Sequence, residues 1–174
     1  MKCSKQDAFT LIELLVSLSV LAILLSLATP RFSKLINNQR EASHTNQLIR
    51  ALNFARTTAI TKNIMVSLCT GKTDCIERPN WQTDFIIFTD NNRNGLLDHD
   101  DKLLRQETLH ENYSWVWSNF RNQRHMSFRA DGTTYSLNGT FTLCENTTPV
   151  RRLILNAAGR VRLATPKSVN NCTP

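Results

Sequence analysis

The hydrophobic positions of the chain change pattern twice, and each pattern predicts a different element. From residue 9 to residue 28 the side chains are apolar or small except for one charge, Glu13. Twenty helical residues rise about 30 Å, which matches the hydrocarbon thickness of a bilayer. The pattern therefore predicts an N-terminal helix, with a membrane-spanning half over residues 9–30.

Beyond Pro30 the apolar positions keep a helical period but alternate with charges. No Gly or Pro occurs from Arg31 to Lys62. Apolar residues recur there at steps of three, four and seven: Leu35, Ala42, Leu48, Ile49, Leu52, Ala55 and Ala59. Because a helical proline removes one backbone donor and clashes with the preceding turn, Pro30 predicts a kink. We expect an amphipathic half, residues 31–62, to pack on a globular head.

Short apolar runs fill residues 63–174, and Gly, Asn, Asp or Pro bound most of them, as is typical of strands. The runs cover residues 64–69, 82–89, 103–104, 113–117, 126–129, 140–144, 152–155 and 161–163. Asn94-Gly95, Asp131-Gly132 and Asn138-Gly139 are tight-turn dipeptides. The chain is therefore predicted to be α+β, with a long N-terminal helix packed on an antiparallel head of two small sheets.

A short basic segment precedes the apolar run at the N-terminus. Two lysines precede Ala8, and Phe9 then opens the apolar run, with Glu13 five residues into it. This resembles the type III signal of type IV prepilins and type II secretion pseudopilins. The resemblance implies that prepilin peptidase removes residues 1–8 as a leader and methylates Phe9, although Ala8 replaces the usual Gly. An ordinary secretory signal is the alternative, but its apolar run is usually only about 7–15 residues long.

Glu13 is costly within an apolar run, by roughly 2.5–3.5 kcal/mol near the centre of a bilayer and by less near its end. A buried carboxylate needs a cation, and the α-amino group of Phe9 on a neighbouring subunit would supply one. The resemblance thus implies that Glu13 acts in filament assembly with other pilin subunits.

The head resembles the GspH/FimT group of minor pilins and pseudopilins. The resemblance rests on residues 81–90, 92–98, 103–105, 143–144, 152–155 and 159–162. It implies a type IV pilin-like fold, single-pass insertion in the bacterial inner membrane with the head in the periplasm, and later incorporation into a pilus at the cell surface. No pattern of catalytic residues is evident, so we expect neither an enzyme nor a cofactor.

Four cysteines follow the leader: Cys69, Cys75, Cys144 and Cys172. Four cysteines allow three pairings. We favour Cys69–Cys75, which closes a short loop, and Cys144–Cys172, which ties down the C-terminal tail, since the periplasm is oxidising. A zinc site of four thiolates is the alternative, but the C-x2-C spacing of such sites is missing.

Basic residues concentrate in the last third of the chain. The net charge is +7, and from Tyr113 onward eight Lys or Arg stand against two Asp or Glu, a net +6. Guanidinium groups bind phosphates by bidentate hydrogen bonds, without sequence preference and with steep salt dependence. Because short basic motifs are weak signals, a solvated basic face is the alternative.

Residues 159–162, Gly-Arg-Val-Arg, resemble a late Gly-Arg-x-Arg motif of FimT-type minor pilins of naturally transformable bacteria, which is implicated in binding incoming DNA. Arg160 and Arg162 alternate along a predicted strand and share a face, and Gly159 permits close approach of a backbone. The resemblance implies binding of double-stranded DNA for uptake. The expected contacts are Arg160 and Arg162, supported by Lys167, Arg151 and Arg152. A structural pilin or secretion pseudopilin without a DNA role is the alternative.

One segment follows the spacing of an EF-hand calcium loop: Asp90, Asn92, Asn94 and Asp101. Its flanks predict strands rather than helices, and Asp101 reaches less far than the usual bidentate Glu. A β-hairpin with an Asn-Gly turn explains the same residues, so we predict no metal and keep calcium as the alternative.

Overall fold

The computed structural model describes residues 10–76, 78, 80–82, 84–110, 112–165 and 172, without the side chains of residues 27–31. The chain divides into two compact units, Met1–Arg40 and Glu41–Pro174. We call the described part of the first unit the stem and that of the second the head. Three residues with predicted roles, Ala8, Phe9 and Lys167, lie outside the described residues.

One helix, α1, extends from Leu11 to Lys62. It continues without a break across Pro30, which the sequence predicted as the junction of two helical halves. In the stem, the large apolar side chains from Leu11 to Leu25 are all 50% or more exposed. No helix within the described part of the chain is long and apolar enough to cross a membrane. The span over residues 9–30 therefore stays a prediction.

In the head, α1 buries one face. The buried positions are Thr45, Leu48, Ala51, Leu52, Ala55 and Ala59. Their spacing confirms the apolar stripe from Leu48 onward, but Leu35 is 63% exposed. Leu35 precedes Glu41, where the head begins. Within the head, the buried face of α1 begins at Thr45.

Two antiparallel sheets complete the head and confirm the α+β prediction. The first contains, in spatial order, β4 (Leu103–Thr108), β3 (Asp84–Thr89), β1 (Val66–Thr70) and β6 (Met126–Phe128). The second contains β2 (Asn80–Trp81), β5 (Tyr113–Asn119), β7 (Gly139–Glu145), β8 (Thr148–Leu155) and β9 (Val161–Ala164). Only β2 has no counterpart among the predicted runs, since two residues are too few to show a period.

A single apolar cluster joins α1 to both sheets. Trp115 and Trp117 on β5 belong to this core, and the Trp117 ring is stacked on Phe141 with centroids 4.1 Å apart. Both tryptophans are therefore structural and unavailable to a ligand.

Candidate nucleic-acid interface

The β8–β9 hairpin carries the Gly-Arg-x-Arg motif. Ile154 on β8 lies opposite Arg162 on β9. Because side chains alternate along a strand and Leu153 and Leu155 are buried in the core, Ile154 and Arg162 project from the other face of the sheet. We call this the outer face, and Arg162 is exposed on it.

The turn between the two strands fixes the position of Arg160. Asn156 N donates to the Arg160 carbonyl at 3.1 Å, and Gly159 N donates to the Asn156 carbonyl at 2.9 Å. The side chain of Asn156 also accepts a hydrogen bond from Arg160 N at 2.8 Å. Arg160 is thus paired across the turn, two residues before Arg162, and both exposed side chains share the outer face.

Gly159 holds this turn against the rest of the head. Its φ is +75°, and a Cβ on it would lie 2.4 Å from the carbonyl oxygen of Gly132. That oxygen accepts a hydrogen bond from Arg56 Nε on α1 at 2.9 Å. The role of Gly159 is therefore to let the turn approach a loop that α1 itself anchors, and nothing in the sequence marked Arg56 for this contact.

Arg152 belongs to the same face. It lies opposite Thr142 on β7 and opposite Ala164 on β9, which makes it a diagonal neighbour of Arg162. No ion pair of Arg152, Arg160 or Arg162 occurs within the described residues. Three guanidinium groups without a carboxylate partner therefore occupy one edge of the outer face.

Arg151 is separated from them. It lies opposite the buried Leu143, on the face that packs on the core. Its Nε donates to Glu41 Oε2 at 2.9 Å, and the side chain of Glu41 is only 13% exposed. We predicted that Arg151 adds long-range attraction to the basic patch, and this prediction is wrong. Alternation along β8 turns its side chain toward the core, where Glu41 neutralises its charge.

Both disulfide bonds are those favoured by the sequence, Cys69–Cys75 and Cys144–Cys172. All four thiols are thereby consumed, so the zinc alternative is wrong. Cys144 lies opposite Ser114, at a position of β7 whose side chain belongs to the outer face. The second disulfide therefore attaches the C-terminal tail to that face.

The loop with calcium-like spacing is closed by its own hydrogen bonds. Asp90 is buried and accepts from Asn94 N at 3.1 Å and from Gly95 N at 3.0 Å. Asp98 accepts from the amides of Asn92 and Asn94, and these hydrogen bonds lower the pKa of the Asp98 carboxyl. No group of three or more metal-binding side chains is assembled in the parts of the chain described.

Comparisons with known proteins agree with this architecture. The family model described as "Type II transport protein GspH" matches residues 44–159, and the "Prokaryotic N-terminal methylation motif" matches residues 3–29. No curated protein sequence is significantly similar to the chain.

Two crystal structures of the type IV minor pilin FimU of Pseudomonas aeruginosa (strain PAO1) are similar in fold. Each is 23% identical to this chain and covers 76% of it, with TM-scores of 0.56 and 0.54. The alignments cover 99% and 94% of the FimU chains. At this identity the likeness concerns the fold alone.

Proposed function

The chain belongs to the GspH family, as a type IV minor pilin or pseudopilin with a prepilin methylation motif, and from this premise we propose that it binds extracellular DNA for uptake in natural transformation. The observation that carries the proposal is the cluster of Arg152, Arg160 and Arg162 on one edge of the outer face. Within the described residues, none of these arginines has an ion-pair partner.

The cluster suits a phosphate backbone. A hairpin turn with three hydrogen bonds holds Arg160 in place, so little backbone freedom is lost when it binds. Planar guanidinium groups bind phosphate oxygens in a bidentate manner. Such contacts carry no sequence information, so the expected ligand is duplex DNA of any sequence. Lys167 adds a further positive charge three residues after the end of β9.

The experiment is duplex binding by the full chain in detergent, measured by fluorescence anisotropy over a salt series. We expect Arg160→Gln/Arg162→Gln to weaken binding roughly tenfold per arginine, since each loses a charged hydrogen bond. The slope of log K against log salt should fall in magnitude by about 2, because each duplex phosphate contact contributes about 0.9.

The matched control is the double variant Glu41→Gln/Arg151→Gln. It changes an arginine of the same hairpin, but one that faces the core and pairs with Glu41, and it removes both partners so that neither charge is left buried and unpaired. Binding by this variant should stay close to that of the unmodified chain. If the unmodified chain binds no duplex at low salt, the DNA-binding proposal fails.

The proposed life history follows from the N-terminal motif. Prepilin peptidase cleaves between Ala8 and Phe9, residues 9–30 anchor the chain in the inner membrane with the head in the periplasm, and assembly with other pilin subunits carries it to the cell surface. The exposed apolar side chains of the stem support this, because a helix that is apolar all round needs a membrane or a protein partner. The family is structural rather than enzymatic.

A second function stays open, that of a structural subunit of a pilus tip or secretion pseudopilus which contacts protein only. The match to the type II transport family favours it. It predicts normal incorporation of Arg160→Gln/Arg162→Gln into filaments together with no duplex binding by the unmodified chain.

A further inference from the structure

An exposed aromatic side chain lies at the tip of the turn between β5 and β6. Phe120 is 93% exposed, the highest exposure among the large apolar side chains described. The turn around it is closed by the side chain of Asn119, whose Nδ2 donates to the Gln123 carbonyl at 2.7 Å and whose Oδ1 accepts from Gln123 N at 3.0 Å. Phe120 is therefore held in solvent by a well-bonded turn.

Two guanidinium groups are arranged beside this turn. The Cζ atoms of Arg121 and Arg129 lie 5.8 and 5.9 Å from the ring centroid of Tyr135. Cation–π contacts of this kind orient the guanidinium groups without neutralising them. Neither arginine forms an ion pair within the described residues. The nearby Asp131 accepts from Thr133 N and Oγ1, and these hydrogen bonds lower the pKa of its carboxyl.

The turn with Phe120 and the turn with Arg160 lie at the same end of the second sheet. Asn119 is opposite Gly139, Gly139 is opposite Leu155, and Leu155 is opposite Val161. Three strand spacings between β5 and β9 amount to about 15 Å.

The loop that carries Tyr135 is bonded to the hairpin turn. Thr134 N donates to the carbonyl of Ala157 at 2.9 Å, and Ala157 belongs to the turn that ends at Arg160. The hairpin turn and the loop around Tyr135 are therefore neighbours at this end of the second sheet, which we call the basic edge, and Phe120 lies on the turn that Arg121 connects to Tyr135.

We propose that Phe120, with Arg121 and Arg129, is a stacking site for unpaired bases, so that this edge takes a single-stranded segment of DNA. The proposal rests on the proposed function and adds a ligand class to it. Proteins that bind single strands combine positive charge along the backbone with aromatic rings on which bases stack, whatever their sequence. Phe, Tyr and Arg are also enriched at protein interfaces, but the net charge of +6 from Tyr113 onward favours an anionic ligand here.

The test compares a labelled single-stranded oligonucleotide with a blunt duplex of the same sequence, using the full chain in detergent. Phe120→Ala should weaken single-strand binding about five- to a hundredfold, the usual loss for one stacked base. Its duplex affinity should stay within about twofold, since phosphate contacts dominate there. Leu103→Ala removes an exposed apolar side chain from the first sheet and should change neither affinity.

Phe120→Trp gives a second readout. The native tryptophans are at most 3% exposed, so an added indole at the turn would dominate any change in fluorescence on binding. We expect retained single-strand affinity and quenching of this indole by the oligonucleotide.

Three results would overturn the inference. Equal single-strand affinity of Phe120→Ala and the unmodified chain, with duplex binding intact, removes the stacking site and leaves the proposed function standing. Loss of Phe120→Ala from pili with unchanged DNA affinity would mean that the turn docks protein. If the unmodified chain binds neither form of DNA, both proposals fail.

Discussion

At the scale of single residues, Gly159 shows how one position determines where the charges of the hairpin lie. Its φ of +75° is in the left-handed region, and Gly132 O leaves no room for a Cβ. Both constraints act together, because the same turn that needs a positive φ also approaches the loop that Arg56 anchors. The positive φ and the close approach to Gly132 have no connection with DNA, yet together they determine the position of Arg160.

Gly159→Ala should destabilise the head by about 1–3 kcal/mol, the usual cost of forcing a residue with a side chain into the left-handed region. The clash with Gly132 O should also displace Arg160 and weaken duplex binding. Urea unfolding followed by fluorescence of the buried tryptophans measures the first effect, and anisotropy the second. Ala158→Gly, in the same turn, is the control and should change both only slightly. Wild-type stability of Gly159→Ala would show that the turn relaxes without cost.

At the scale of elements, the two disulfides constrain very different lengths of chain. Cys69–Cys75 joins residues six apart, from the end of β1 to the loop that follows. Cys144–Cys172 joins residues 28 apart, and it attaches to β7 the tail that contains Lys167. Because loop closure restricts the unfolded chain more as the loop lengthens, the second bond should contribute more to stability.

Replacing Cys144 and Cys172 by Ser should lower the free energy of unfolding by about 3.6 kcal/mol, and replacing Cys69 and Cys75 by about 2.4 kcal/mol, on the chain-entropy estimate. Denaturation of each variant and of the disulfide-bonded wild-type chain, all without reductant, measures the two losses. The reverse order of the two losses would contradict the chain-entropy explanation.

Local pattern predicted most of the elements but not the faces of the critical strand. The β-rich runs and turn dipeptides located eight of the nine strands that the described residues form, because alternation and turn chemistry are local. Whether Arg151 or Arg152 faces the core depends instead on which face of β8 the second sheet buries. Residues 153–155 are apolar on both faces, so the sequence of β8 does not reveal that Leu153 and Leu155, and with them Arg151, face the core.

Contacts between distant segments were likewise invisible in the sequence. Arg56 reaches Gly132 across 76 residues, and Arg151 reaches Glu41 across 110. The aromatic–arginine cluster around Tyr135 is assembled from two loops in the same way. A more local signal existed for Phe120, since a large aromatic between predicted strands, next to Arg121 and Asn122, has no strand of its own in which to be buried.

At the scale of the whole molecule, the stem exposes apolar side chains that only a membrane or an assembly could bury. Its apolar side chains are exposed in the isolated chain, and Glu13 lies among them in the first turn of α1. Glu13 N donates to Thr10 Oγ1 at 3.4 Å, so the helix begins a few residues before the carboxylate. In a filament that buries the stem, this carboxylate needs a cation, and we propose the α-amino group of Phe9 from the neighbouring subunit.

Glu13→Ala should therefore block incorporation while leaving the head folded. Removing one partner of a buried pair strands the other charge, at a cost of about 3–5 kcal/mol, which corresponds to a loss of more than a hundredfold in assembly equilibrium. Immunoblots of sheared pili against membranes measure incorporation. Ser17→Ala is the control, because its hydroxyl only bonds the Leu14 carbonyl of its own helix. Normal incorporation of Glu13→Ala, or a pilus-borne chain that still starts at Met1, would mean that the subunit joins its filament by some other interaction.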